Sequence, residues 1–194
     1  MALKPVSDLR REEIAKAALA IFATQGAEGM TLERVAKDIG ASKGIILHYF
    51  SSKDELIDRV LSDALTILGR EYQSALSSAV GSDAWLVKFL SFVVSDELFT
   101  EDYARVWLSI CASSRTNSPY RRFRKVITRR VRTNLVSALK PRLGNMEARP
   151  VAESLMALVD GLWLRRALDP QSLSSDRAKA LLLTHLEESF AFSG

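Results

Sequence analysis

The segment Thr31–Phe50, TLERVAKDIGASKGIILHYF, constrains this chain more than any other. Gly40 divides it. Apolar residues recur on either side at the three-to-four spacing of a buried helical face: Val35, Ala36 and Ile39 before the glycine, Ile45, Ile46 and Phe50 after it. Thr31 stands where a side-chain oxygen takes an orphan backbone N–H, at the start of a helix over residues 32–39. Ser42 stands in the same place for a second helix ending at Tyr49. Two helices joined by a short glycine turn make a helix-turn-helix, whose second helix lies in the DNA major groove. The expectation is a DNA-binding protein and not an enzyme.

The rest of the chain predicts an all-α fold. It has only 5 Pro and 9 Gly in 194 residues, and no block of strand-like alternation interrupts the helical periodicity. Residues 1–7 read as an arm carrying Lys4. A helix over 8–25 follows, with Ile14, Ala17, Ala18, Ile21 and Phe22 on one face; Gly26 is placed for a left-handed cap and Gly29 adds a second break. Ser52 caps a long helix from Lys53 to about Ala79, stopped by Gly81-Ser82. Further helices are expected over 83–98, 100–113, 119–139 (closed by Pro141-Arg-Leu-Gly144), 147–168, and from Ser174 or Ser175 to Phe192.

Several chemistries lack their residues. Cys111 is the sole cysteine, so no intrachain disulfide or cysteine-rich zinc site can form. His48 and His185 have no metal-ligand spacing, and no activated nucleophile or phosphate-cradling glycine loop is present. Hence no metal and no cofactor is expected. No run of about 18 apolar residues marks a membrane span, and the first residues lack a signal-peptide core, which points to a cytoplasmic protein.

Residues 10–57 follow an ordered pattern of Gly26, Thr31, Ala36, Gly40, Ser42, Gly44, Tyr49-Phe50, Lys53 and Leu56 that resembles the N-terminal region of TetR-family transcriptional regulators. The resemblance implies about nine helices and a homodimer. It also implies a DNA-binding domain over 1–52, an effector-binding and dimerisation domain over 53–194, and repression of a palindromic operator relieved by a small molecule. Arg105-Val-Trp-Leu-Ser, Ala112-Ser-Ser, Arg129-Arg130 and LVDGLWLRRAL (158–168) further resemble the BetI branch, repressors of choline-to-betaine synthesis genes, which implies a choline-like effector.

On this reading Thr31, Arg34, Ser42, Lys43, Gly44, Leu47, His48, Tyr49 and Lys53 face double-stranded DNA. Thr31 caps its helix, touches a phosphate, or does both. Arg34 reaches the backbone or a base edge. Lys43 suits a phosphate or guanine acceptors, and Gly44 allows close approach. Leu47, where the family often has a tyrosine or small polar residue, can touch a thymine methyl but cannot hydrogen-bond a base. His48 donates to a phosphate or is an ordinary histidine. Tyr49 contacts a phosphate, and Lys53 anchors the backbone.

In the larger domain, Trp85, Phe89, Phe92, Phe99, Tyr103, Trp107 and Trp163 supply aromatics for a pocket. Tyr103, Trp107 and Trp163 are the first candidates to hold a quaternary ammonium by cation–π contact. Asp96, Glu97, Asp102 and Asp160 are candidate carboxylates, Asp160 taken first, with Cys111 at a further position of the set; the alternative is that such aromatics are simply core. The helices at 147–168 and 174–192 carry apolar stripes (Val151, Leu155, Leu158, Val159, Leu162 and Trp163; Leu181, Leu182, Leu186 and Phe190), which the resemblance implies meet a symmetry mate as a four-helix bundle; the alternative is that they close the core of a monomer. Between Tyr103 and Met146 there are 11 basic residues and no acidic ones, although residues 1–52 hold seven Lys/Arg against six Asp/Glu. The basic face Arg121, Arg122, Lys125, Arg129 and Arg132 is a solvated amphipathic surface, electrostatic support for DNA approach, or a site for an anionic effector or surface. The last option defines the competing function: a small-molecule or anionic-surface binder that does not read DNA.

Overall fold

Side-chain oxygens at helix starts organise this chain. The structure, a computed structural model, describes residues Val6–Ala191, so Lys4 and Phe192 lie outside the described residues. Thr31 Oγ1 accepts from Arg34 N at 3.2 Å, Ser42 Oγ from Ile45 N at 3.3 Å and Ser52 Oγ from Glu55 N at 3.1 Å. Thr100 and Ser174 do the same for Tyr103 N (3.3 Å) and Arg177 N (3.2 Å). Each satisfies an N–H that has no partner within its own helix. The elements so started are α2 (Leu32–Asp38), α3 (Lys43–Tyr49), α4 (Lys53–Leu76), α6 (Glu101–Ser113) and α8 (Ser175–Ala191). With α1 (Val6–Gly29), α5 (Ser82–Phe92) and α7 (Ser118–Leu168), they make the described residues all-helical, without strands.

Two glycines break longer runs. Gly26, at φ 68°, interrupts α1, and Gly144, at φ 72°, divides α7 into arms over 118–143 and 145–168. Left-handed φ is inexpensive only for glycine. With α7 counted as two arms, the described residues contain nine principal helical segments, as expected. Pro141 does not close the helix as its sequence suggested; the α-helix runs through it to the break at Gly144. The cost of a proline there is one lost helical bond to the carbonyl of Ser137, close to where the helix ends anyway. Two boundaries also fall earlier than expected: α4 stops at Leu76 and α5 at Phe92, where turns take over through Phe99.

The chain forms two compact units. One contains the residues through Leu68 together with Ser109–Arg124; the other contains Gly69–Leu108 and the residues from Lys125 onward. In the first, α1, α2 and α3 pack on one another. Ile14, Ala18, Val35, Ile46, Phe50, Leu56 and Val60 are fully or nearly fully buried there. Each large apolar side chain so buried contributes about 1.5–3 kcal/mol. Ile45 is a correction: it is 39% exposed and does not join the core. Ala27 N, left without a helical partner by the break at Gly26, donates to Ser109 Oγ at 2.9 Å, and a Cβ on Gly26 would lie 2.8 Å from that same oxygen. In the second unit Leu86, Leu90, Phe99, Leu135, Leu139, Leu155, Leu182 and Leu186 form a continuous apolar core, with α5 packed on α8.

Candidate DNA-binding surface and effector domain

α3 is held at both ends and bare along one side. Ile46 is its one fully buried residue, and Phe50, which follows it, is also buried. Ser42, Lys43, Gly44, Leu47 and His48 are exposed, and Tyr49 is half-buried. These six are the expected contacts at this helix; the fold leaves five of them open and tucks Tyr49, three residues after the buried Ile46, partly in. A Cβ on Gly44 would meet only Ser42 Oγ, at 3.7 Å, so nothing within the protein requires glycine there. Leu47 is 40% exposed, and Ile45, also exposed, lies two residues back and so faces a different side of the helix. The His48 ring meets Tyr49 edge-on, with centroids 5.1 Å apart.

The flanking candidates are also in place. Thr31 is half-buried with its oxygen engaged as a cap. Arg34 is exposed but anchored: its guanidinium donates to the Gln25 side chain and to Gly29 O at 3.2 Å. Lys53 is exposed at the first position of α4.

Three contributors escaped the sequence reading. Arg11, on α1, donates to the Tyr49 carbonyl and to Glu55 Oε1 at 2.6 Å, while its guanidinium carbon lies 4.4 Å from the Phe50 ring centroid. It therefore ties α1 to the end of the recognition helix and the start of α4. Glu55 also accepts from Ser51 N and Oγ, both at 2.7 Å. The Arg11 guanidinium, followed by the Ser51 donors, holds its carboxyl down at about 2. The signal in the sequence was Ser52 with Glu three residues on, the pattern of a capping box. The third is Glu33, on α2, whose Oε1 lies 2.6 Å from Lys43 Nζ. Hydrogen bonding to Lys43 lowers the Glu33 carboxyl below its ordinary range.

Part of the basic segment is engaged within the fold. Arg121 donates to the carbonyls of Ser114 (3.2 Å) and Arg115 (3.0 Å), closing the end of α6. Arg122 pairs with Asp58, Arg132 with Glu153 (2.6 Å) and Arg142 with Asp83 (3.1 Å). Lys125, Arg129 and Arg130 remain on the surface. With Arg121, Arg122 and Arg132 engaged within the fold, the anionic-surface alternative loses much of its basis.

The expected effector residues are dispersed. Tyr103 (48% exposed), Trp107 and Cys111 follow one another a turn apart on α6, the last two half-buried. Trp163 donates its indole N–H to the Val93 carbonyl at 3.1 Å and meets Phe99 edge-on at 5.5 Å; Asp160 is exposed. An open cleft of about 430 Å³ lies elsewhere in the second unit, between Tyr72 and Trp85 on one side and Asn134 and Ser137 on the other. None of the five expected residues lines it.

A capped recognition helix on a three-helix unit, continued into a larger helical unit, defines a helix-turn-helix transcriptional regulator. Residues 14–60 match the profile of bacterial regulatory proteins of the tetR family, and residues 82–191 match that of the BetI-type transcriptional repressor C-terminal domain. HTH-type transcriptional regulator BetI 2 of Chromohalobacter salexigens is 32% identical over 93% of this chain and 88% of its own length. BetI of Vibrio campbellii is 26% identical over 95% of this chain and 94% of its own. Among solved structures, a transcriptional regulator of Pseudomonas aeruginosa PAO1 superposes with a TM-score of 0.80 at 24% identity, covering 97% of this chain and 93% of the other. One from Saccharomonospora viridis, solved in complex with choline, gives 0.79 at 20% identity, covering 93% and 96%. The chain belongs to the TetR family of transcriptional regulators, with the C-terminal domain of its BetI-type repressors. That family is one of regulators and not of enzymes. No helix among the described residues is long and apolar enough to cross a membrane.

Proposed function

We propose that this repressor binds a palindromic operator as a homodimer, with two α3 helices in successive major grooves about 34 Å apart, and that a choline-like cation releases it. The observation that carries the reading is a BetI-type repressor domain over 82–191 following an exposed, doubly capped recognition helix. Thr31, Arg34, Ser42, Lys43, Gly44, Leu47, His48, Tyr49 and Lys53 form the DNA-facing set. The division of labour falls at Ser52/Lys53, giving a DNA-binding region over 1–52 and an effector and dimer region over 53–194. A regulator of this kind works where the chromosome is, in the cytoplasm.

Dimerisation through the helices at 147–168 and 174–192 is supported by an exposed stripe on α7. Ala157, Gly161, Leu164 and Leu168 recur at helical spacing on one face, with Leu164 45% and Leu168 69% exposed. A second copy covering them would remove that apolar surface from water. The effector class is supported by the choline bound to the Saccharomonospora viridis regulator and by the aromatic faces of Tyr103, Trp107 and Trp163, with Asp160 as the acidic partner.

The test is fluorescence anisotropy with labelled DNA from upstream of the protein's own gene. Binding should weaken with log[salt] at a slope of about −0.9 per phosphate contacted, and choline should raise Kd. A dimer without salt-dependent binding to that DNA would sink the reading. Binding that ignores choline would refute the effector and leave the repressor intact.

A further inference from the structure

The DNA-facing surface carries an acid of its own. Glu33 lies in the first turn of α2, and its carboxylate holds the ammonium of Lys43, the first residue of the recognition helix, at 2.6 Å. Both side chains are more than half exposed, so the pair sits at the surface and not within the core. The charge of Lys53 also stabilises this carboxylate, though less than Lys43 does. Arg34 is tethered by Gln25 and Gly29. Those partners are neutral and leave its charge standing, whereas Glu33 offsets that of Lys43, in line with the seven-to-six charge balance of residues 1–52.

We propose that Glu33 is an internal competitor for DNA phosphate: it occupies Lys43 in the free protein and must be displaced before Lys43 can contact the backbone. The effect is to lower phosphate-only binding, so that residence on DNA depends more on the base contacts of α3. Non-specific affinity arises almost entirely from released counterions, and a lysine already paired within the protein contributes less to it. Glu33 thus acts through Lys43, as a residue that sets affinity and does not itself read a base.

The inference rests on the DNA-facing assignment above, and the experiment separates the two. Full-length protein is titrated against a labelled random-sequence duplex, so no operator need be known. Glu33→Gln, close to isosteric and on the surface, should tighten binding roughly two- to fivefold, the range of an exposed ion pair. In a Lys43→Gln background the same change should have little effect. Equal affinity or weaker binding for Glu33→Gln overturns the proposal, because Glu33 would then be inert or would position Lys43 for DNA. Equal tightening in both backgrounds also overturns it, since the carboxylate would be acting as a general field. If neither Lys43→Gln nor Lys53→Gln weakens binding, the DNA-facing assignment itself has failed. Circular dichroism and a thermal melt of each variant confirm that the fold is unchanged.

Discussion

Phe50 and Phe99 are both aromatic, both fully buried, and each carries an arginine over its ring. They sit in regions that work differently. Phe50 ends the recognition helix, and the Arg11 stacked on it also holds the Tyr49 carbonyl. The core there supports a short helix whose other side is left bare. Phe99 packs against Trp163, itself a candidate for effector contact, and Arg166 above it holds the carbonyl of Leu173 at 3.0 Å. In the first region packing and recognition are assigned to different residues; in the second the proposed effector contact Trp163 also packs on the buried Phe99. A side chain in the first can be changed for function without touching the fold, and this is much harder in the second.

Truncating the two phenylalanines is the largest test of that contrast. Phe50→Ala and Phe99→Ala should each cost about 3–5 kcal/mol of unfolding free energy, read by urea titration. Only Phe50→Ala should also weaken DNA binding once corrected to the folded fraction. Equal loss of DNA binding from Phe99→Ala would remove the distinction.

Gly44→Ala sharpens the first half of the comparison. A methyl group there meets nothing closer than Ser42 Oγ at 3.7 Å, and exchanging glycine for alanine inside a helix gains up to about 1 kcal/mol. Stability should therefore hold or rise. Operator affinity should fall at least about tenfold, or 1.4 kcal/mol, because the added carbon stands on the side proposed to face the groove. Unchanged affinity would show that α3 does not approach DNA through Gly44.

Legibility in the sequence divides along the same line. The helix-turn-helix could be read because its determinants are local: Thr31, Ser42 and Ser52 cap the helices they precede, and Gly40 supplies a positive φ of 63° at the turn. Contacts distant in sequence were not legible. Arg11 with Tyr49 and Glu55, and Glu33 with Lys43, depend on how three helices pack. The role of the basic run over 105–142 stayed open for the same reason, since the partners of Arg122 and Arg142 are 64 and 59 residues away. Pro141 misled because proline ends helices on average, whereas here Gly144 ends it three residues later. The aromatics of the second unit gave the composition of a ligand site without its location, because aromatic side chains at helical spacing fill cores and line pockets alike.

Tyr120→Phe changes stability and should spare function. Tyr120 is 2% exposed, its ring stacks on Phe22 at 6.3 Å, and its hydroxyl has no hydrogen-bond partner among the described residues. Burial pushes the phenol up to about 12. Replacing an unsatisfied buried hydroxyl by hydrogen should stabilise the protein by about 1 kcal/mol, raising the urea midpoint with DNA affinity unchanged. A loss of stability would mean that the hydroxyl is bonded in solution.

The smallest effect concerns pH and belongs to the recognition side alone. Glu55 titrates from about 2 in the folded protein against an ordinary value of 4.5, with the Arg11 guanidinium as the main cause. Because the folded state binds that proton less tightly than the unfolded chain, its contribution to stability is present above 4.5 and is lost as pH falls toward 2. The group is solvent-exposed, so screening keeps the effect small and makes it shrink further with salt. Wild type and Glu55→Gln should differ most in urea midpoint at pH 6–7, converge between pH 4.5 and 2, and converge sooner in high salt. The same substitution should loosen the Arg11 clasp on Tyr49 and so weaken operator binding at neutral pH. A pH-independent gap between the two proteins would assign the role of Glu55 to its neutral hydrogen bonds with Ser51, and leave the recognition helix held by Arg11 and Phe50 alone.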